Sequence, residues 1–275
     1  MLFTKMHGAG NDYIYINCFE EAVDDPAALA VKVSHRHFGV GSDGLVLVGP
    51  SEVADFKMRM FNADGSEAMC GNASRCVAKY VFDNGMTEKN PITLETIAGI
   101  KTISMTLENG RVSAVMVDMG APILRPGDIP VALPGDVIVN RPLPGTAFDC
   151  TCVSMGNPHC VIFVDHVADL PLWQIGPPLE NHPAFPERTN VEFVRVTARS
   201  TIQMRVWERG TGETLACGTG ACASVAACIL NGYCDKDSDI LVHLRGGDLI
   251  IRWDSARNTI LKTGPAEFVC KGELL

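Results

Sequence analysis

The sequence predicts an α/β (α+β) fold of two pseudo-symmetric halves, each mostly strand with one principal helix. Three observations predict it. The phrase "CGNASRC" opening at Cys70 returns as "CGTGAC" at Cys217, 147 residues later. Residues around those phrases repeat in the same order: Gly65 and Gly212, Gly71 and Gly218, Asn84-Gly85 and Asn231-Gly232, His35 and His182, Phe38 and Phe185, Asp43 and Asn190. Gly10-Asn11 and Gly156-Asn157 follow at an offset of 146, each before an alternating apolar run. A period of domain size points to two copies of one architecture rather than a solenoid.

Taken in order, apolar alternation predicts strands near 13–17, 44–48, 56–62, 92–97, 100–107 and 111–118 in the first half. The second half reads alike near 160–164, 190–196, 201–207, 239–245, 248–253 and 259–262. Pro26 suits the first position of a short helix. The segments 71–84 and 218–231 are the principal helices, each closed by Asn-Gly, a left-handed C-terminal stop. The Pro- and Gly-rich stretch 119–145 reads as the crossing between halves. A last strand near 266–270 follows Gly264-Pro265 and returns to the first half. The expected division is therefore 1–118 plus 265–275 against 119–264.

Composition narrows the function. The chain has 275 residues, 47% of them apolar, enough for a sizeable core. A net charge of −9 without a basic block argues against a nucleic-acid partner. The opening "MLFTKMHGAGNDY" lacks the apolar stretch of a secretory signal, and no run approaches a membrane span. The expectation is a cytoplasmic protein without a membrane partner. Eleven cysteines, an odd number in a long chain, fit reduced thiols rather than a disulfide scaffold.

Most of those cysteines read as small buried residues, Cys76, Cys222, Cys228 and Cys234 among them. Cys70 and Cys217 differ because each stands where a helix begins. There, unpaired backbone N–H groups and the positive end of the helix dipole favour a thiolate and lower the thiol pKa. The N–H groups of Gly71-Asn72 and Gly218-Thr219 can hold a carboxylate. Two such units across a cleft would place one sulfur on each face of a carbon next to a shared carboxylate. One thiolate removes a proton and the opposite thiol returns one. The helix ends stabilise the planar carbanion between these steps, and no cofactor is required.

Other clusters read as structure. Cys150, Cys152, His159 and Cys160 lack the spacing of a common zinc site, and 150–153 alternates like a strand; no metal site is expected. "GVGSDG" at 39–44 lacks the lysine of a phosphate loop and reads as a turn. His7, His35 and His37 read as structural, and Ser154 is not in a nucleophile elbow.

The phrases "GAGNDYIYIN", "FNADGSEAMCGNASRC", "GNPHCVIF", "RTNVEFV" and "WERGTGETLACGTGACA", spread over nearly the whole chain, resemble the diaminopimelate epimerase family. The resemblance implies a pyridoxal-independent isomerase of lysine and peptidoglycan-precursor biosynthesis. It interconverts LL- and meso-2,6-diaminopimelate and has no cofactor. It also implies two halves, each a mostly antiparallel sheet wrapped around a central helix, with the active site in the cleft between them, and a homodimer. By motif, Cys70 and Cys217 become the acid/base pair. Asn11, Asn62, Asn157, Asn190, Glu208 and Arg209 become substrate-binding residues. Gly71, Asn72, Gly218 and Thr219 hold the reacting carboxylate, and His159 supports proton handling. Asn amides that both donate and accept, with Arg and Glu, can read a second amino-acid end. Two departures stand out. Ala73 occupies a position where the family commonly has Gly, and the span from Asn62 to Cys70 is one residue short.

Two relatives of the same architecture compete. Proline and hydroxyproline racemases typically carry Cys-Gly-His where this chain has Cys70-Gly71-Asn72, and phenazine-type isomerases lack the cysteine pair. A non-catalytic redox sensor using the two thiols is the reading from another class; a disulfide between them is expected as an inactivating side reaction rather than the purpose.

Overall fold

The computed structural model describes residues 1–68 and 70–275. Met69, within the short span between Asn62 and Cys70, lies outside the described residues. The chain divides into two compact units, Met1–Asp118 with Thr263–Leu275, and Met119–Lys262.

The first unit runs β1 (Leu2–Gly8), β2 (Asn11–Asn17), α1 (Pro26–Ser34), β3 (Gly44–Gly49), β4 (Phe56–Asn62), β5 (Glu67–Ala68), α2 (Gly71–Asp83), β6 (Ile92–Thr96), β7 (Gly99–Glu108) and β8 (Arg111–Asp118). In the second unit, β9 (Arg141–Pro142) precedes β10 (Asp149–Ser154), β11 (Pro158–Phe163), α3 (Leu172–Glu180), β12 (Asn190–Ala198), β13 (Thr201–Glu208) and β14 (Gly212–Glu213). It continues through α4 (Gly218–Leu230), β15 (Ile240–Leu244) and β16 (Gly247–Asp254). β17 (Thr259–Gly264) leads back to β18 (Glu267–Glu273), which pairs antiparallel with β1.

Pairing repeats with the order. β1 is antiparallel to β2, β2 parallel to β3, β3 antiparallel to β4, and β4 parallel to β6. Likewise β10 is antiparallel to β11, β11 parallel to β12, β12 antiparallel to β13, and β13 parallel to β15. Each of these four parallel pairs needs a crossover, and α1, α2, α3 and α4 lie in them in turn. The fold is the mixed, sheet-dominated, pseudo-symmetric architecture that the sequence predicts.

α2 and α4 are the central helices. α2 packs on β1, β2, β4, β7 and β8, and α4 on β10, β11, β12, β13 and β16. A helix buried on all sides needs small residues, and α4 reads GTGACASVAACIL. Its Ala, Cys and Val side chains from 221 to 228 are fully buried, as are Cys76, Val77, Ala78 and Val81 of α2. Both helices have 13 residues and end identically. Gly85 at φ 72° and Gly232 at φ 74° take the left-handed turn. Their N–H groups donate to Phe82 and Ile229, and the next residues, Met86 and Tyr233, donate to Val81 and Cys228. That is a Schellman closure in duplicate. Ala73 sits inside α2, fully buried, and the helix starts at Gly71 regardless.

Three elements depart from the sequence reading. β1 alternates in burial but lies in an opening read only for what it lacked. α3 holds Pro177 and Pro178, which mask it as loop. The stretch 119–145 is more than a connector: Ile129, Ile138 and Leu143 join the core of the second unit with Cys150, Cys152, Cys160 and Phe193.

Candidate active site

In the first unit the register brings one set of strand ends together. Gly44 lies opposite Tyr13 and Asn62, so the start of β2, the start of β3 and the end of β4 meet. A Cβ on Gly44 would stand 2.1 Å from the Phe61 carbonyl oxygen, so only glycine permits this approach. Ala9 and Gly10, both at positive φ, form the turn that delivers Asn11.

Cys70 precedes α2 in extended conformation; its carbonyl accepts from the Ser74 N–H at 3.1 Å, but its side chain makes no capping bond to the helix. Its thiol instead donates to Asn11 Oδ1 at 3.3 Å, which also accepts from Asn72 Nδ2 at 3.3 Å. Asn11 Nδ2 donates to Asp43 Oδ2 at 2.7 Å, and Asn72 Oδ1 accepts from the buried Arg75 at 2.9 Å. Arg75 thereby fixes the direction of both amides. Asp43 also accepts from the Asp12 N–H and pairs with Arg36. Burial outweighs these bonds and raises its carboxyl pKa. Tyr13 is pushed well up by burial and then by Cys70 beside it. Asn62 bonds instead within its own turn, donating to Ser66 Oγ at 3.0 Å.

The second unit gathers the equivalent strand ends, with His159 opposite Asn190 and Val191 opposite Trp207. Cys217 caps α4 with its own sulfur, which accepts from the Gly220 N–H at 3.4 Å and lies 3.5 Å from Thr219 Oγ1. The lowered pKa expected at this position does not hold. Burial pushes the Cys217 thiol well up, the carboxylates of Glu208 and Glu192 add to the rise, and Thr219 and the Gly220 N–H offset only part. Desolvation of a thiolate outweighs one helix terminus when two carboxylates face the same sulfur. Glu208 is itself raised, first by burial, and accepts a bond from Thr214.

His159 and Glu192 form a fully buried pair, Nδ1 to Oε1 at 2.7 Å, and His159 Nε2 lies 3.0 Å from Asn157 Oδ1. Asn190 is spent on structure: its Nδ2 donates to the Pro158 carbonyl at 2.8 Å and its Oδ1 accepts from the Arg209 N–H at 3.0 Å. Arg209 Nη1 donates to the Glu187 carbonyl. Buried Glu180 completes the support, accepting from Trp207 Nε1 and the Gly210 N–H.

Within each unit the structure thus joins a cysteine, a helix N-terminus and oriented Asn amides. The sequence model described as Diaminopimelate epimerase matches residues 3–124 and 151–269. The chain belongs to the diaminopimelate epimerase family. Full-length relatives of that name include those of Acetivibrio thermocellus (59% identity, 100% of this chain and 98% of that protein) and Agathobacter rectalis (56%, 100% and 99%). A third, from Methanococcus maripaludis, is 54% identical over 100% of this chain and 99% of its own. Among solved structures, a Bacillus anthracis phenazine biosynthesis protein of the PhzF family superposes with TM-score 0.70 at 18% identity, covering 100% of this chain and 99% of that one. A hydroxyproline epimerase from Agrobacterium vitis does so with TM-score 0.68 at 15% identity, covering 100% and 90%. These two share the fold of this diaminopimelate epimerase family member.

Three residues at the site escaped the sequence reading: Asp43, Arg75 and Glu192. Asp43 sat in "GVGSDG", read as a turn. Arg75 and Glu192 did leave a signal, each an ionisable residue inside an otherwise buried segment.

Proposed function

We propose that this chain interconverts LL- and meso-2,6-diaminopimelate by removing and returning a proton at one α-carbon. Cys70 and Cys217 are the two acid/base groups. The observation that carries the reading is the paired placement of these cysteines, each immediately before a buried helix of 13 residues in a family member.

An α-proton is weakly acidic, so the carbanion must be stabilised as it forms. First-turn N–H groups at Gly71-Asn72 and Gly218-Thr219 lack intrahelical partners and address the developing charge on the carboxylate. Cys70 is set as a thiol, donating to Asn11, which suits the proton-returning role. Cys217 receives hydrogen bonds, which suits the thiolate role once a substrate ammonium offsets Glu208. Asn11, Asn62, Asn157, Asn190, Glu208 and Arg209 form the recognition set, Asn190 acting through the Arg209 backbone. The high pKa of buried Cys217 ties thiolate formation to substrate arrival. His159 supports proton handling beside it. The reaction serves lysine and peptidoglycan-precursor synthesis, in the cytoplasm, in a homodimer without cofactor, membrane or nucleic-acid partner.

Incubation of LL-diaminopimelate with the protein in D2O under reductant is expected to give the meso form with deuterium at one α-carbon. Exchange into proline instead, or no exchange, overturns the assignment. Cys70→Ala and Cys217→Ala are each expected to abolish conversion; near-normal turnover in either excludes a two-base mechanism.

A further inference from the structure

The proposed roles leave one buried carboxyl without a task of its own. Glu192 lies mid-strand in β12, fully buried, in the run Asn190–Val194 where every residue is buried. Its Oε1 meets His159 Nδ1 at 2.7 Å, and its Oε2 is buried without a hydrogen-bond partner among the described residues. The carboxyl also abuts the first turn of α4, where a Cβ on Gly220 would stand 2.7 Å from Oε1. A buried carboxyl kept with one oxygen unsatisfied costs stability, so its retention calls for a role.

Proton counting gives that role. Asn157 Oδ1 only accepts, so the 3.0 Å contact with His159 requires a proton on Nε2. The 2.7 Å contact on the other side then needs a proton of its own, on either Nδ1 or Oε1. A neutral ring protonated at Nδ1 would present a lone pair to Asn157 Oδ1 and turn the amide over.

We propose that Glu192 is the positioning residue that keeps His159 protonated at Nε2, which pins Asn157 Oδ1 and leaves Asn157 Nδ2 as the outward donor for a substrate carboxylate. This rests on the substrate reading above for what Asn157 meets, but the ring state of His159 does not. The chain of control runs from β12 through β11 to the turn after Gly156, so a residue with no substrate contact sets the polarity of one that has it. The first unit contains the same logic with a different group: Arg75 holds Asn72 Oδ1, and Asn72 Nδ2 then holds Asn11.

The test combines histidine 15N NMR with steady-state kinetics on wild type, Glu192→Gln and Glu192→Leu. Wild type is expected to show a protonated Nε2 and an Nδ1 engaged in a strong hydrogen bond. The side-chain amide introduced by Glu192→Gln can donate to Nδ1. That variant should therefore keep Nε2 protonated and hold KM within about threefold, on the scale of a small change in one hydrogen bond. Glu192→Leu removes the partner, so the tautomers mix and KM rises about tenfold or more with a smaller change in kcat, the signature of lost uniform binding. Asn157→Ala should raise KM comparably, and Glu192→Leu should add nothing further in that background. A wild-type ring protonated only at Nδ1, an Nε2 proton unmoved in Glu192→Leu, or multiplying effects of Glu192→Leu and Asn157→Ala overturns the proposal. A wild type inert toward diaminopimelate overturns the substrate reading, and the nitrogen shifts of His159 still decide the role of Glu192.

Discussion

Cys217 is governed by what surrounds it rather than by the helix it caps. Burial raises its pKa most, and the charges of Glu208 and Glu192 raise it further. Removing one of those charges lowers the pKa and increases the thiolate fraction at a given pH. Glu208→Gln, in a Cys70→Ser background, is therefore expected to speed iodoacetamide labelling of Cys217 at neutral pH, read by peptide mass spectrometry. An unchanged or slower rate removes Glu208 from the account. Gly220 offers a second test because two effects of opposite sign meet there. Helix propensity favours Ala over Gly by about 1 kcal/mol. A Cβ, however, would lie 2.7 Å from Glu192 Oε1 and 3.2 Å from Cys217 Sγ, and overpacking typically costs about 1–3 kcal/mol. Gly220→Ala is expected to lower the melting temperature and the turnover; a gain in stability would show that the carboxyl moves aside freely. At this scale the cysteines were legible because two rare phrases recur at one spacing. The sign of the Cys217 shift was not, since it is set first by burial and then by Glu208 and Glu192, which come to the site from β13 and β12.

Elements were legible where their ends carry chemistry. Asn84-Gly85 and Asn231-Gly232 mark the helix stops in sequence, and both form the same hydrogen-bonded closure. α3 was hidden by its own composition. Its Gly176 is required by packing, since a Cβ there would stand 2.4 Å from the Trp207 ring, and Pro177 and Pro178 read as breakers. Strand joints also carry a pH signature. Asp55, before β4, accepts from the N–H and hydroxyl of Thr93 in β6, both at 2.8 Å, and from Lys89. The Lys89 bond, then those from Thr93, hold its carboxyl at about 2. A lowered folded pKa contributes stability above the ordinary carboxylate value of about 4 and loses it as pH falls toward 2. Thermal melts of Asp55→Asn should accordingly fall below wild type at neutral pH and converge on it near the bottom of that range. A difference that persists undiminished in acid would assign the loss to shape rather than charge.

Across the molecule, each unit is built around a helix with almost no solvent face. Amides in such a helix exchange only when the strands packed on it open. Hydrogen exchange followed by mass spectrometry should find α2 and α4 the slowest segments of their units, and α1, with Val31 and Lys32 exposed, faster. Early exchange across α4 would contradict its place at the centre. The duplicated plan was legible as a whole because chance rarely sets so many Gly, Asn and Cys residues in one order at one spacing. The part played by 119–145 was not, since isolated apolar residues among prolines and glycines look like linker until Ile129 and Ile138 are seen buried. The central position of α2 and α4 has a further bearing on urea titrations. The amides proposed to bind the substrate carboxylate begin those helices, so they belong to the last structure to melt. Catalytic loss and loss of ellipticity should then fall on one curve, with no inactive but still folded species ahead of the main transition.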